Sequence, residues 1–170
     1  VLVLSLLRVQ VGTFLLSLMR PAEDTGIYGV ALKVHEVLVT FPGMFIALLY
    51  PVLSRLASED TAKLRITFQR TFDVMLLCGV VVALEILVLA PHIAAILGEP
   101  RAAVPMRVLA LGLPSIFLGM SFSHLLLAEG RQGLILRLYT LFAFASLGAN
   151  VFLIPRFSYL TVATTSAVME

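Results

Sequence analysis

The chain alternates between long apolar runs and short polar connections. A helix needs about 20 consecutive apolar residues to cross the hydrocarbon core of a bilayer. Runs of that kind, the last one truncated, occupy residues 1–19, 27–55, 71–97, 105–128, 134–154 and 159–170. The period-two alternation of a transmembrane barrel is absent from the sequence. The pattern therefore predicts an all-α, polytopic transmembrane helix bundle with about six spans, forming a single domain over residues 1–170.

One connection is longer than the others. Residues 56–70 contain charged residues and place Leu64 and Phe68 on one side. We interpret this segment as an interfacial amphipathic helix that runs into the third span, although an ordinary solvated loop would fit the same residues. The remaining connections are short and rich in Gly, Pro and charge, which predicts that consecutive spans are antiparallel neighbours.

Loop charges indicate an orientation for the predicted spans. Cytoplasmic connections of membrane proteins are enriched in Lys and Arg. Six basic residues lie at the ends that include the 56–70 connection: Arg55, Lys63, Arg65, Arg70, Arg131 and Arg137. Four lie at the opposite ends: Arg20, Arg101, Arg107 and Arg156. This distribution places the 56–70 connection in the cytoplasm.

Composition narrows the classes of function. Hydrophobic residues make up 60% of the chain and charged residues 13%, which does not suit a water-facing surface. The twelve basic residues are spread between apolar blocks, so nucleic-acid binding is not expected. Soluble-enzyme motifs and Cys/His pairs at metal spacing are missing from the sequence. We therefore expect no enzymatic activity, no cofactor and no metal site.

The two ends of the sequence indicate whether it is a piece of a longer protein. The chain opens at Val1 without an initiator methionine, and it closes inside another apolar stretch at Glu170. We expect a piece of a longer polytopic protein.

Polar groups inside predicted spans are the candidates for function. An ionised side chain at mid-helix costs about 2.5–3.5 kcal/mol on insertion scales and is kept where it faces protein or water. Arg8 lies inside the first span, with Ser5 and Gly12 on the same face. Its guanidinium could bind a pyrophosphate, or it could extend to the cytoplasmic interface.

Lys33 and Glu36 form the strongest local cluster. They lie one helical turn apart in the second span, and Thr40 and Gly43 continue their face. Such a pair can exchange partners when an anionic ligand or a proton arrives, or it can be a structural ion pair. His35 points roughly the opposite way, which favours a packing role.

Further polar and helix-breaking positions occur in later spans. Glu85, in the third span, has no basic residue on its face within a turn. It could couple transport to a proton, or it could be a neutral carboxyl hydrogen-bonded to a neighbouring helix. For Asp73, we expect a local pair with Arg70. Pro42 and Gly43 interrupt the second span, which predicts a kink and a candidate hinge.

Hydroxyl and amide side chains in the last two complete spans are candidates for helix–helix hydrogen bonds. They are Ser115, Ser121, Ser123, His124, Ser146 and Asn150.

Several sequence motifs resemble those of a known transporter family. The second span opens with a G-x-Y-x-x-A motif at residues 26–31 and closes with P-x-L-S-R at residues 51–55. Later segments that agree are Ile96-Leu97-Gly98-Glu99, Leu126 to Gln132, and Asn150 leading to Ile154-Pro155-Arg156-Phe157. Over nearly the whole chain, the sequence resembles the polysaccharide-flippase branch of the multidrug and toxic compound extrusion-like superfamily.

The resemblance implies a fold, a substrate and a site. It implies one lobe, the second, of a two-lobe transporter, which flips an undecaprenyl-pyrophosphate-linked oligosaccharide across the bacterial or archaeal cytoplasmic membrane by alternating access. Cavity cations would hold the diphosphate, and Arg8 and Lys33 are the matching residues. Many relatives carry an acidic residue shortly after the first-span arginine, where this chain has Gln10. The expected partners are membrane lipid, the lipid-linked oligosaccharide and the first lobe of the same polypeptide.

Three other functions fit a polytopic membrane protein. A cation-coupled multidrug exporter of the same superfamily would rely on acidic cavity groups such as Glu36 and Glu85. A membrane-embedded transferase acting on a lipid carrier would need paired catalytic groups at a membrane edge, and the sequence has none at suitable spacing. A structural scaffold would tolerate apolar substitution of Arg8, Lys33 and Glu36.

Overall fold

The described part of the chain consists of four helices. A computed structural model describes the backbone of residues 22–157, and it describes side chains for residues 23–141, 144, 145 and 148. The helices are α1 (Ala22–Glu59), α2 (Thr61–Ile96), α3 (Ala103–Ala128) and α4 (Gln132–Phe157), with a 3-10 turn at Pro100–Ala102 before α3. No strand occurs within the described range. The all-α prediction is therefore confirmed for these residues, whereas the predicted spans 1–19 and 159–170 lie outside them.

Three of the described helical segments are long and apolar enough to cross a membrane. They are Glu23–Glu59, Thr61–Ile96 and Pro100–Ala128. The α1 helix has 38 residues and α2 has 36. At a rise of 1.5 Å per residue, each is more than about 50 Å long, whereas the hydrocarbon core is about 30 Å thick. Both helices therefore exceed the length that a single crossing requires.

Helix α3 is the centre of the bundle and packs against both α1 and α2. Its buried face is wide and includes Leu109, Leu113 and Phe117. Helices α1 and α3 run in one direction and α2 runs in the other. The two ends of the bundle are named here after residues in them. The Glu23 end holds Glu23 and Arg101, which form an ion pair, and the Asp60 end holds the α1–α2 and α3–α4 turns.

Small residues form the surface of α2 that contacts α3. Gly79, Ala83, Ala90 and Ala94 are buried on one face of α2. A Cβ atom added to Gly79 would lie 2.9 Å from the Cα of Pro114 and 3.3 Å from the Cβ of Phe117. The backbones of α2 and α3 thus approach each other closely, in the way that small residues permit between membrane helices.

The turns at both ends of α3 have the glycines that helix ends favour. Gly98 and Gly130 adopt positive φ values of 79° and 73°. The N–H groups of Glu99 and Arg131 donate to the carbonyls of Ala94 and Leu126, respectively. This is the Schellman arrangement, in which glycine in the left-handed region ends a helix. The breaks that the sequence predicts at these two glycines are confirmed.

Helices α1 and α2 are joined by a single residue, Asp60. Its side chain accepts a hydrogen bond of 3.0 Å from the Lys63 backbone N–H and thereby caps α2. The segment predicted as a 56–70 connection is divided between the last turn of α1 and the first ten residues of α2. Alanine, lysine, leucine and arginine favour helix there, so the helix continues up to the capping residue on both sides.

Asp60 should make the stability of the protein depend on acidity. The hydrogen bonds from Lys63 lower the pKa of the Asp60 carboxyl below its usual value. A carboxyl with a lowered folded-state pKa stabilises the fold above its unfolded pKa of about 3.9, and this stabilisation is lost as the pH falls through the folded value. Asp60→Ala is therefore expected to lower the unfolding temperature at pH 6–7. The difference between the two unfolding temperatures should become smaller as the pH falls below the unfolded pKa.

Thermal unfolding of both proteins in detergent, followed by circular dichroism across that pH range, checks this expectation. Asp60→Asn, which retains a capping side chain, is the control and should lose less stability than Asp60→Ala at neutral pH. A difference in unfolding temperature between wild type and Asp60→Ala that stayed constant from pH 7 to pH 3 would contradict this expectation.

An arginine side chain completes the backbone hydrogen bonding of α2 near Pro91. Proline has no N–H, so a proline within a helix leaves the carbonyl four residues earlier without its usual donor. For Pro91 that carbonyl belongs to Leu87, and the Nε of Arg107 in α3 donates to it at 3.1 Å. From the sequence, Arg107 is expected only as a loop charge. The structure gives it a specific bond between two helices.

Candidate functional site

The candidate site on α1 is a row of polar side chains facing away from the bundle. Lys33, Glu36 and Thr40 are all exposed. The Oγ1 of Thr40 donates to the backbone carbonyl of Glu36 at 2.8 Å. This is a bond within the helix, so the side chains of Lys33 and Glu36 keep their hydrogen-bonding capacity for other partners. These three residues are called the α1 polar row.

Large apolar side chains surround the α1 polar row on the same exposed surface. Val37 is 72% exposed, Phe41 61% and Met44 65%. Lys33 lies about 16 Å along the helix axis from the start of α1, as the rise per residue gives. The row is therefore a polar island within an apolar face, well inside the length of the helix.

Lys33 and Glu36 do not neutralise each other in the structure. Their side chains form no ion pair with each other or with any other residue between 23 and 141. A structural pair between them, one of the two interpretations of the sequence, is thus not formed here. His35 lies on the opposite side of α1, where it is 7% exposed, next to Leu38 of its own helix and Leu109 of α3.

Glu85 lies on the outward face of α2. It is exposed, and its neighbours Leu84 and Val88 are also exposed, at 57% and 70%. Within the residues whose side chains are described, Glu85 has no hydrogen bond to a neighbouring helix. The structure does not join Glu85 to Lys33 or Glu36 by a direct bond. The acidic candidates thus lie on two separate helix faces.

The predicted hinge residues lie on the part of α1 that faces α3. Helix α1 continues through Pro42 and Gly43 without interruption, and Pro42 is buried. A Cβ atom added to Gly43 would be 3.9 Å from the sulfur of Met120 in α3. Gly43 therefore lies beside α3 and not on the exposed polar row that Lys33 and Glu36 share.

Arg8, the predicted pyrophosphate ligand of the first span, lies outside the described residues. Metal-ligating residues do not gather in groups of three or more anywhere in the part of the chain that the structure describes.

Polar side chains inside the helices mostly bond within their own helix. Ser121 donates to the carbonyl of Phe117 at 3.1 Å, and His124 donates from Nδ1 to Met120 at 2.9 Å. The Oγ of Ser123 in α3 and the hydroxyl oxygen of Tyr139 in α4 lie 3.5 Å apart and form a contact between the two helices. The expected role of these groups in joining helices is therefore wrong for Ser121 and His124, because each side chain bonds instead to the backbone carbonyl four residues back in its own helix.

The local pair expected between Arg70 and Asp73 is also wrong. Asp73 accepts a hydrogen bond of 3.0 Å from Nε2 of Gln69 instead. Gln69 is four residues away from Asp73, a spacing at which side chains on a helix meet directly. Arg70 is consequently left without an acidic partner among the described residues.

Comparisons with known proteins found no family model, no curated protein and no solved structure that matches this chain.

Proposed function

We propose that this chain is one lobe of a two-lobe membrane transporter with about six spans. The transporter flips an undecaprenyl-pyrophosphate-linked oligosaccharide from the cytoplasmic to the outer leaflet of a bacterial or archaeal cytoplasmic membrane. The observation that carries the proposal is the α1 polar row. It is a set of charged and hydroxyl groups in the length of an apolar helix, on a face that no described helix covers.

The energetic cost of the row supports this assignment. A charged side chain that faced lipid at this depth would cost several kcal/mol, so such residues usually face protein or a water-filled cavity. Transporters built from two repeats place their substrate sites between the repeats, near the middle of the membrane. A second lobe opposite α1 would enclose the row in such a cavity.

The chemistry of the row fits an anionic substrate. The ammonium group of Lys33 carries no competing ion pair in the described structure and can contact a diphosphate. In this proposal Arg8 of the first span supplies the second cation, and Pro42 and Gly43 allow α1 to bend between the inward-open and outward-open states. Glu36 and Glu85 are the candidates for coupling the cycle to an ion.

Lys33→Ala, made in the complete protein, is expected to abolish its ability to complement a strain that lacks the flippase. Removing the cation removes a charge-assisted bond to the diphosphate, so we expect export to fall at least about tenfold. The measurement is surface glycan per cell, normalised to the amount of transporter in the membrane. Arg8→Ala is expected to act in the same direction.

The control is Val37→Ala, one turn from Lys33 and more exposed than most residues of α1. It should leave export unchanged, because it removes only apolar area. Normal export by both Lys33→Ala and Arg8→Ala would show that this assignment of the site is incorrect.

A cation-coupled multidrug exporter is the second candidate. Two exposed carboxylates in apolar surroundings, Glu36 and Glu85, favour it. For an exporter of cationic drugs, Glu36→Gln and Glu85→Gln should remove drug resistance, while Lys33→Ala should retain it. For the flippase, Lys33→Ala should have the larger effect.

A further inference from the structure

We propose that Arg65 and Arg70 of α2 bind the phosphate groups of anionic lipids in the leaflet at the Asp60 end. The two residues are called the arginine pair. The proposal rests on α1, α2 and α3 crossing a membrane, for which they are long and apolar enough. It does not depend on what the protein transports.

The basic residues next to the α1–α2 turn are of two kinds. Arg55 and Lys63 are already neutralised, because Arg55 pairs with Glu59 at 2.9 Å and Lys63 pairs with Asp60 at 3.1 Å. In contrast, Arg65 and Arg70 are exposed and form no side-chain ion pair or hydrogen bond with any residue in the described ranges. The arginine pair thus has two complete guanidinium groups available for an external anion.

Both arginines are exposed on the flanks of α2. The buried residues of this part of α2 are Leu64, Thr71 and Met75. At about 100° per residue, Arg65 lies about 100° from the centre of that buried face and Arg70 about 120° from it on the other side. Asp73, which accepts the hydrogen bond from Gln69, lies between them. The two arginines are therefore on opposite flanks of α2, and each can contact the phosphate of a separate lipid.

Their positions along the helix correspond to the headgroup region. The apolar run of α2 begins just after Asp73, so Arg70 lies at the border of the hydrocarbon. Arg65 is five residues further out, about 7.5 Å along the axis. The polar layer of one leaflet is about 5–7 Å thick. The arginine pair therefore extends across one layer of phosphates.

The guanidinium group suits this ligand. Its planar, permanently charged fork binds phosphate oxygens through two parallel hydrogen bonds. Each cation near an anionic membrane surface contributes about 1 kcal/mol, which is about a fivefold gain in affinity. Two unpaired arginines should therefore favour an anionic over a zwitterionic lipid by about twenty-five-fold.

The test uses the complete protein in detergent, titrated with phosphatidylglycerol or with phosphatidylcholine of the same acyl chains. Native mass spectrometry counts the lipids that each variant retains. We expect wild type to prefer phosphatidylglycerol, and we expect that preference to fall about twenty-five-fold in Arg65→Gln/Arg70→Gln. Arg65→Lys/Arg70→Lys should retain most of it, because the charge remains.

The matched control is Arg55→Gln/Lys63→Gln, which changes the net charge by the same amount but removes cations that are already paired. Its preference for phosphatidylglycerol should stay within about threefold of the wild-type preference. Each of these cations is already paired with a carboxylate, so it attracts an external anion only weakly. Equal losses in the two double variants, or no preference in wild type, would overturn the proposal. Displacement of the lipid by inorganic phosphate at constant ionic strength would also overturn it, because the ligand would then be free phosphate.

Discussion

Gly79→Leu is expected to prevent α2 and α3 from packing in their present arrangement. The first side-chain atom would lie 2.9 Å from the Cα of Pro114. The obstacle is backbone, which cannot rotate away as a side chain can, and the position is buried between two helices. Inserting extra methylene groups into a packed core costs about 1–3 kcal/mol, and we expect a loss at or above the upper limit.

Leucine is a useful choice because it favours helix more than glycine does, by almost 1 kcal/mol. A loss of stability therefore reports the contact between the helices and not the helix itself. Gly79→Ala should be intermediate, since its gain in helix propensity opposes a smaller clash. The measurement is unfolding of the purified protein in mixed micelles with increasing denaturing detergent.

Gly133→Ala is the control for these substitutions. Gly133 is exposed in the first turn of α4, and a Cβ atom there would meet nothing within 4 Å. This variant should be as stable as wild type or slightly more stable. If Gly79→Leu unfolded at the same detergent fraction as Gly133→Ala, the close approach of α2 and α3 would not exist in the membrane protein.

Arg107→Leu is expected to destabilise the protein by about 1–3 kcal/mol, because a backbone carbonyl of an apolar helix loses its donor where lipid supplies no replacement. The group concerned is the Leu87 carbonyl, to which Arg107 donates because Pro91 cannot. In a Pro91→Ala background the new backbone N–H can donate to Leu87, so Arg107→Leu should then cost much less. A double-mutant cycle in the same unfolding assay should give a coupling energy of about 1–2 kcal/mol.

Arg101→Leu is the matched control for this cycle. Arg101 is also an arginine at the Glu23 end, but its partner is the Glu23 side chain and not a backbone carbonyl. Its effect should be the same with proline or alanine at position 91. Equal costs of Arg107→Leu in the two backgrounds would show that the arginine contributes through something other than the carbonyl freed by proline.

The sequence is sufficient to predict the helices and several of their ends. Apolar runs and turn residues act within a few positions, so Gly98 and Gly130 are identifiable as helix ends without knowledge of the fold. The opposite orientations of His35 and the α1 polar row follow from the angle per residue alone. The structure places His35 on the core side and the row on the outer side.

Other features depend on distances between helices, which do not follow from the spacing of residues along the sequence. The contact of Gly79 with Pro114 and the bond from Arg107 to Leu87 join residues of different helices. Whether Arg70 or Gln69 reaches Asp73 depends on side-chain rotamers, since both spacings suit a helix. The helix that the sequence predicts in the 56–70 connection does run into the next span, over residues 61–70. The charges of the segment do not show, however, that α1 continues as far as Glu59.

The candidate site is only partly accessible to sequence reasoning. The pattern identifies which residues share a face with Lys33, because the helix sets that relation. It does not identify what lies opposite that face, because the answer depends on elements far away along the chain.

The single residue between α1 and α2 restricts how these helices can move. Only Asp60 lies outside the two helices, so the connection between them is too short to stretch. For this reason α1 cannot shift along its axis without moving α2. Between α2 and α3, by contrast, the six residues from Leu97 to Ala102 include a glycine with positive φ and can absorb displacement. An axial shift of α1 should therefore be transmitted to α2 at the Asp60 end, and from α2 to α3 through the close contact of Gly79 with Pro114.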